Sequence, residues 1–255
     1  MKNFFILVLT GIFVFSHTAL FSQDGNFNAL ENFFNAGSEY KKGNYDAAIK
    51  LYEEILQNGL ASGELYYNMG NAYFKKGVLG MTVLNYERAR RYIPRDSDLD
   101  SNYLYALSTV KGATTDTKKS IVHRIIHGFI DQLTVDELAI IAFLLLLLGG
   151  IVYLSRLFFH WSSRVPVFTI IILCVLAAFH LFLLFDKVHY EDNLGVALSS
   201  TDSKFEPIEG ATTHFELPEG ARIRLLDTKE DWVKIKRPDG KTGWSRKDTI
   251  KLIKR

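Results

Sequence analysis

The chain has 255 residues, a net charge of +2 and a single cysteine, Cys174. The near-neutral charge removes any bulk electrostatic case for nucleic-acid binding, and one cysteine excludes an intrachain disulfide framework or a multi-cysteine zinc site. Hydrophobic residues make up 48% of the chain, and two long apolar runs, 138–154 and 165–185, divide it into a soluble part on either side.

The first 22 residues read as an export signal. Lys2 is a short basic head, 4–15 is apolar, and 17–22 is more polar before Gln23-Asp24-Gly25. Cleavage is expected near Ser22/Gln23, although Leu20 at the −3 position is larger than such sites prefer. The alternative is an uncleaved first membrane helix, for which the run is short. No cysteine follows the run, so a lipoprotein anchor is not expected.

Residues 23–110 repeat themselves. Shifting the sequence by 34 residues places Lys41-Lys42-Gly43 on Lys75-Lys76-Gly77, Tyr52-Glu53 on Tyr86-Glu87 and Ala36 on Gly70. The second copy, with Tyr66, Met69-Gly70, Tyr73, Gly77, Tyr86, Ala89 and Pro94, resembles the tetratricopeptide pattern of paired helices. It departs at Thr82; the first copy departs at Ile55 and Leu60. Gly43 and Gly77 suit helix ends, and a capping helix is expected over 96–106, begun by Asp96 or Asp98. Two repeats and a cap form a short array, since such units bury their faces by stacking. The resemblance implies a concave groove presenting Phe33, Tyr40, Lys41, Tyr67, Asn71, Phe74 and Lys75, although its aromatics also suit repeat core. Phe33 and Asp98 stand where a carboxylate clamp carries lysines, so a chaperone-tail binder is not expected.

Residues 111–133 read as a polar linker followed by Ile121, Val122, Ile125, Ile126, Phe129, Ile130 and Leu133 at helical spacing. That helix suits either the membrane interface or packing on the array. His123 and His127 share one helical face, but no third ligand accompanies them, and no metal site is expected. Thr134-x-x-Glu137 is a capping box that opens a first membrane helix, 134–159. A second is expected over 165–187. Arg156, His160 and Arg164 lie between them with no acidic residue, which places loop 156–164 in the cytoplasm. Both soluble parts are then expected outside it, in the periplasm of a bacterium, with the spans in the inner membrane and the lipid bilayer as the surrounding partner. Cys174 and His180 are the conspicuous groups inside the second span. Gly149-Gly150 permits close helix packing.

The pattern changes at 193–255. Strand-like runs at 196–198, 221–226, 232–236 and 242–245 are separated by Pro218-Glu219-Gly220, Lys229-Glu230-Asp231 and Pro238-Asp239-Gly240. In 232–236 the side chains alternate, with Val233 and Ile235 on the core face and Trp232, Lys234 and Lys236 on the other. Leu217-Pro218-Glu219-Gly220, Asp231-Trp232-Val233-Lys234-Ile235 and Asp239-Gly240-Lys241-Thr242-Gly243-Trp244 resemble the bacterial SH3-like domain. That resemblance implies a small barrel that binds peptides or cell-wall material. Trp232 and Trp244 are its candidate aromatic surface, with a purely structural role as the alternative.

The expected fold class is therefore multidomain: an all-α tetratricopeptide solenoid, a two-helix transmembrane hairpin and a small all-β SH3-like barrel. This order resembles the Bacteroides aerotolerance family over essentially the whole chain. The resemblance implies membrane partners with von Willebrand A domains and a link to oxidative-stress tolerance. No nucleophile with a base, paired acid motif, phosphate loop or metal cluster is legible, so no enzyme activity and no cofactor are expected. The expectation is a membrane-anchored scaffold for envelope proteins; the alternative is a peptidoglycan-binding sensor or anchor.

Overall fold

The computed structural model describes residues 28–111, 128, 130–159 and 164–253. The expected export signal, most of the linker with His123 and His127, and loop residues His160 and Trp161 lie outside the described residues.

Five helices come first: α1 (Ala29–Lys41), α2 (Tyr45–Gln57), α3 (Gly63–Lys75), α4 (Leu79–Tyr92) and α5 (Ser97–Thr109). The starts of α1, α3 and α5 keep the offset found in the sequence, as do those of α2 and α4. Each odd-numbered helix opens on a side-chain cap that satisfies a backbone N–H with no partner inside the helix. Asn28 Oδ1 accepts from Glu31 N–H at 3.2 Å, Ser62 Oγ from Leu65 N–H at 3.1 Å, and Asp96 Oδ1 from Leu99 N–H at 2.7 Å. Gly43 and Gly77, at φ +84° and +77°, end α1 and α3 in the left-handed region that glycine enters without strain. Ala36, Ala48 and Gly70 let the two helices of each pair approach. A Cβ on Gly70 would lie 2.5 Å from the Tyr86 ring. The three departures from the repeat pattern are accommodated. Buried Thr82 donates its hydroxyl to Val78 O at 2.8 Å, Ile55 is buried, and Leu60 packs against the core of the first helices.

The chain then enters a hairpin of α6 (Val135–Phe159) and α7 (Val165–Asp192). Both helices are long and apolar enough to cross a membrane, and Phe143, Phe168 and Phe182 are among the large apolar side chains exposed along them. The capping box forms at the start of α6: Glu137 N–H donates to Thr134 Oγ1 at 3.1 Å and Thr134 N–H donates to Glu137 Oε2 at 2.8 Å. The second helix continues to Asp192 rather than stopping at 187. Its last turns are tied down, because buried Lys187 donates to the carbonyls of Ile130 and Leu133 at 2.9 and 2.7 Å and pairs with Glu191 at 3.5 Å. These bonds supply acceptors for an ammonium that would otherwise be costly to bury.

Seven strands follow: β1 (Leu194–Ala197), β2 (Thr201–Lys204), β3 (Thr213–Leu217), β4 (Arg222–Lys229), β5 (Trp232–Lys236), β6 (Thr242–Arg246) and β7 (Ile250–Leu252). They form one antiparallel sheet in the order β3-β2-β6-β5-β4-β1-β7. Gly220 and Gly240, at φ +79° and +91°, occupy the turns marked in the sequence. The core face carries Phe215, Leu217, Ile223, Val233 and Ile235.

The β module is packed onto the helical array. Val196 and Ile253 from the sheet share one buried core with Val83, Leu84, Leu99, Tyr103, Ala106 and Val110 from α4, α5 and the residue after it. Each such side chain contributes on the order of 1.5–3 kcal/mol when fully buried. The sheet packs on α4 and α5. Its contact is close: a Cβ on Gly80 would meet Ala197 O and Leu198 Cα at 2.8 Å. A two-helix excursion thus leaves the array and returns to it, so both soluble parts lie at the same end of the hairpin.

Candidate functional site

Helices α1 and α3 carry the residues expected to line a groove. Phe33, Tyr40, Tyr67, Asn71 and Phe74 are each partly exposed there, and Lys41 and Lys75 are exposed. Phe33 meets Tyr52 edge-on at 5.8 Å, and Tyr40 meets Tyr45 at 5.4 Å. Partial burial with tyrosines nearby raises the Tyr40 pKa, so its hydroxyl stays neutral and able to donate. Tyr86, buried against α3, donates to Asn71 Oδ1 at 2.6 Å. Asn102 donates to Tyr67 Oη at 2.7 Å and to Asn71 Oδ1 at 3.3 Å. The Asn71 carbonyl is therefore satisfied, while its NH2 has no partner among the described residues. The aromatic residues among them pack against neighbouring rings while keeping part of their surface exposed.

The sequence reading missed the contribution of α5. Tyr105 meets Phe74 edge-on at 5.7 Å, and Leu104 and Tyr105 are 63% and 62% exposed. One further step of the sequence period from Asn71 reaches Tyr105, so the signal was present. The departure of α5 from the repeat pattern concealed it.

The outer face of the sheet carries the second predicted pair. Register places Trp232 opposite Arg246, and Trp244 between Lys234 and Lys204. Trp244 is partly exposed, but Trp232 is only 6% exposed and is not an open aromatic platform. Lys204 Nζ and the Arg246 guanidinium lie 5.3 and 5.6 Å from its ring centroid. Cations over an indole face are attracted by its quadrupole, which explains how a residue on the solvent side of the sheet becomes buried.

A third cluster lies at the junction of the array and the sheet. Buried Glu87 pairs with Arg222 Nε at 2.6 Å and accepts a short hydrogen bond from the Tyr103 hydroxyl. Burial alone would raise the Glu87 pKa. Arg222, then Arg90, Tyr103 and Arg91, outweigh it and hold the carboxyl below its ordinary value. Burial, and then Glu87 itself, raise the Tyr103 pKa. Nearby, Gly80 N–H donates to Glu219 Oε1 at 2.8 Å. Arg91 bonds the Glu191 carbonyl, and exposed Arg95 reaches Glu137 at 2.6 Å. The array is thereby tied to the sheet and to both ends of the hairpin.

In the spans, Cys174 is exposed on its helix, and the buried His180 Nδ1 has no hydrogen-bond partner among the described residues. His180 is therefore not held through that atom by a neighbouring helix. Among the described residues, no group of three or more His, Cys, Asp or Glu is placed to hold a metal ion. No protein-family model matches the sequence, and no curated protein is significantly similar to it.

Proposed function

We propose that the chain is a non-enzymatic, membrane-anchored scaffold that holds envelope proteins on the outer face of the inner membrane. The α1–α5 array acts as a tetratricopeptide-like groove and the sheet as an SH3-like module. The observation that carries this reading is their shared core, braced against the hairpin ends by Arg91, Arg95 and Lys187. Such a platform presents two partner faces at fixed separation and raises the effective concentration of whatever they hold. The aerotolerance resemblance makes membrane proteins with von Willebrand A domains the partners to test.

A photo-crosslinking residue at Tyr105 should capture a von Willebrand A-domain protein in intact cells, whereas one at Lys50 should not. Absence of adducts at Tyr105, or equal adducts at both sites, would remove the groove from the reading. The cell-wall alternative draws less support, since Trp232 lies beneath cations and does not pair with Trp244 as an open stacking surface. Orientation has its own test: alkaline phosphatase fused after Arg255 should be active, because that enzyme works only outside the cytoplasm.

A further inference from the structure

One face of the sheet combines indoles and cations with a carboxylate that belongs to the protein itself. Trp232, Lys234 and Lys236 alternate along β5, with Trp244 and Arg246 beside them on β6 and Lys204 on β2. After β2 the chain passes through a loop, 205–212, that brings Glu209 back over this face. The Glu209 carboxylate lies 2.9 Å from Arg246 and 3.6 Å from Lys204, the two cations that cover Trp232. Its backbone carbonyl also accepts from Lys204. Yet the Glu209 side chain is 74% exposed, so this bridge is held by charge at the surface and not by packing. Exposed ion pairs of this kind contribute at most about 1 kcal/mol.

The face also carries lysines that form no salt bridge among the described residues. Lys234 lies 5.9 Å from the Trp244 ring centroid, and neither Lys234 nor Lys236 has a carboxylate partner among the described residues. Asp227 of β4 stands opposite Lys234 in the register without a salt bridge to it, and Glu209 is the carboxylate that reaches the two cations over Trp232. At the edge, Phe205 is 58% exposed and stacked on His214 at 4.2 Å, and His214 Nδ1 contacts Thr242 O at 3.0 Å.

We propose that this face binds an acidic peptide segment of a partner protein, and that Glu209 occupies one carboxylate position until the partner displaces it. The inference rests on the SH3-like half of the scaffold reading and is independent of the helical groove. The internal carboxylate identifies the ligand chemistry, because Lys204 and Arg246 already recognise that group. The unpaired Lys234 and Lys236 continue the binding line along β5, at the two-residue spacing of an extended chain. Displacement costs little, since the bridge is exposed, so Glu209 screens weak ligands without blocking strong ones.

The test is fluorescence polarisation of labelled hexaglutamate on the detergent-solubilised full chain at low salt. Glu209→Gln should tighten binding about 3- to 10-fold, because the competing carboxylate is removed. Lys234→Glu, at a surface position that carries no core contact, should weaken it by at least as much. Hexalysine should not bind, and binding of hexaglutamate should fall as salt rises. Unchanged affinity in Glu209→Gln, with near-ultraviolet dichroism intact, would overturn the displacement. Equal competition by heparin would overturn a peptide in favour of a general polyanion site. Either failure leaves the Tyr105 crosslinking result, and with it the groove reading, untouched.

Discussion

Glu87 shows how one residue joins parts of the chain that are distant in sequence. Its carboxylate is buried and paired with the partly exposed Arg222 of the sheet, and it also holds the Tyr103 hydroxyl, so removing it takes one charged acceptor from both. Losing charge-assisted hydrogen bonds of this kind costs about 1.5–3 kcal/mol, and Glu87→Ala should lower the urea unfolding midpoint accordingly. The pH dependence has a definite sign. The folded pKa lies below the ordinary 4.5, so the unfolded state binds the proton more readily. The contribution of Glu87 is fully present above about pH 4.5 and is lost as pH falls through the folded value. Glu87→Gln should flatten the acid limb of the stability profile, measured by unfolding at pH 3 to 7; an unchanged limb would assign it to other carboxylates. Glu87 was visible in the sequence as a repeated residue beside Tyr86. Its partner was not, because Arg222 lies far along the chain beyond a membrane excursion.

At the scale of elements, helix ends were legible because caps are local chemistry. Asp96, the Thr134–Glu137 box and the glycines after α1 and α3 all act as their residue types require. Two glycine substitutions should accordingly move stability in opposite directions. Gly77→Ala puts a side chain at φ +77° and should cost about 1 kcal/mol. Gly37→Ala, inside α1 with nothing within 4 Å of the added Cβ, should stabilise by about 0.5–1 kcal/mol. Thermal melts of the two variants decide the matter, and a common sign would refute the assignment of backbone conformation. The strands were less legible. The runs in β1, β4, β5 and β6 stand out as strand-like stretches between turn residues, whereas Thr201–Lys204, Thr213–Leu217 and Ile250–Leu252 do not. β2 is polar and short, and it pairs only because β6 and β3 lie on either side of it.

At the scale of the whole molecule, the hairpin does more than tether. It returns the chain so that the sheet and helices α4 and α5 bury one shared core. Gly80 is where this fit is tightest. In Gly80→Val the new side chain would collide with backbone of Ala197 and Leu198, which cannot yield as a flexible side chain does. The sheet should separate from the array while both retain their secondary structure. Spin labels at Lys50 and Lys241 would read this as a broadened distance distribution; a distribution as narrow as that of the parent would show that the junction tolerates the change.

What the sequence determined by itself is whatever depends on near neighbours: the helix period and its caps, the two apolar runs, the turns at Gly220 and Gly240, and the alternation that put Trp232 on the outer face. Only the tertiary structure decided that Trp232 is covered by Lys204 and Arg246, that Glu209 bridges those cations, and that the array and sheet share one core through Val83, Val110, Val196 and Ile253. The physical reason is range. Caps and periodicity act over one or two turns of chain, whereas burial and ion pairing join residues by distance in space, and here the two faces of the junction are separated in sequence by the membrane hairpin.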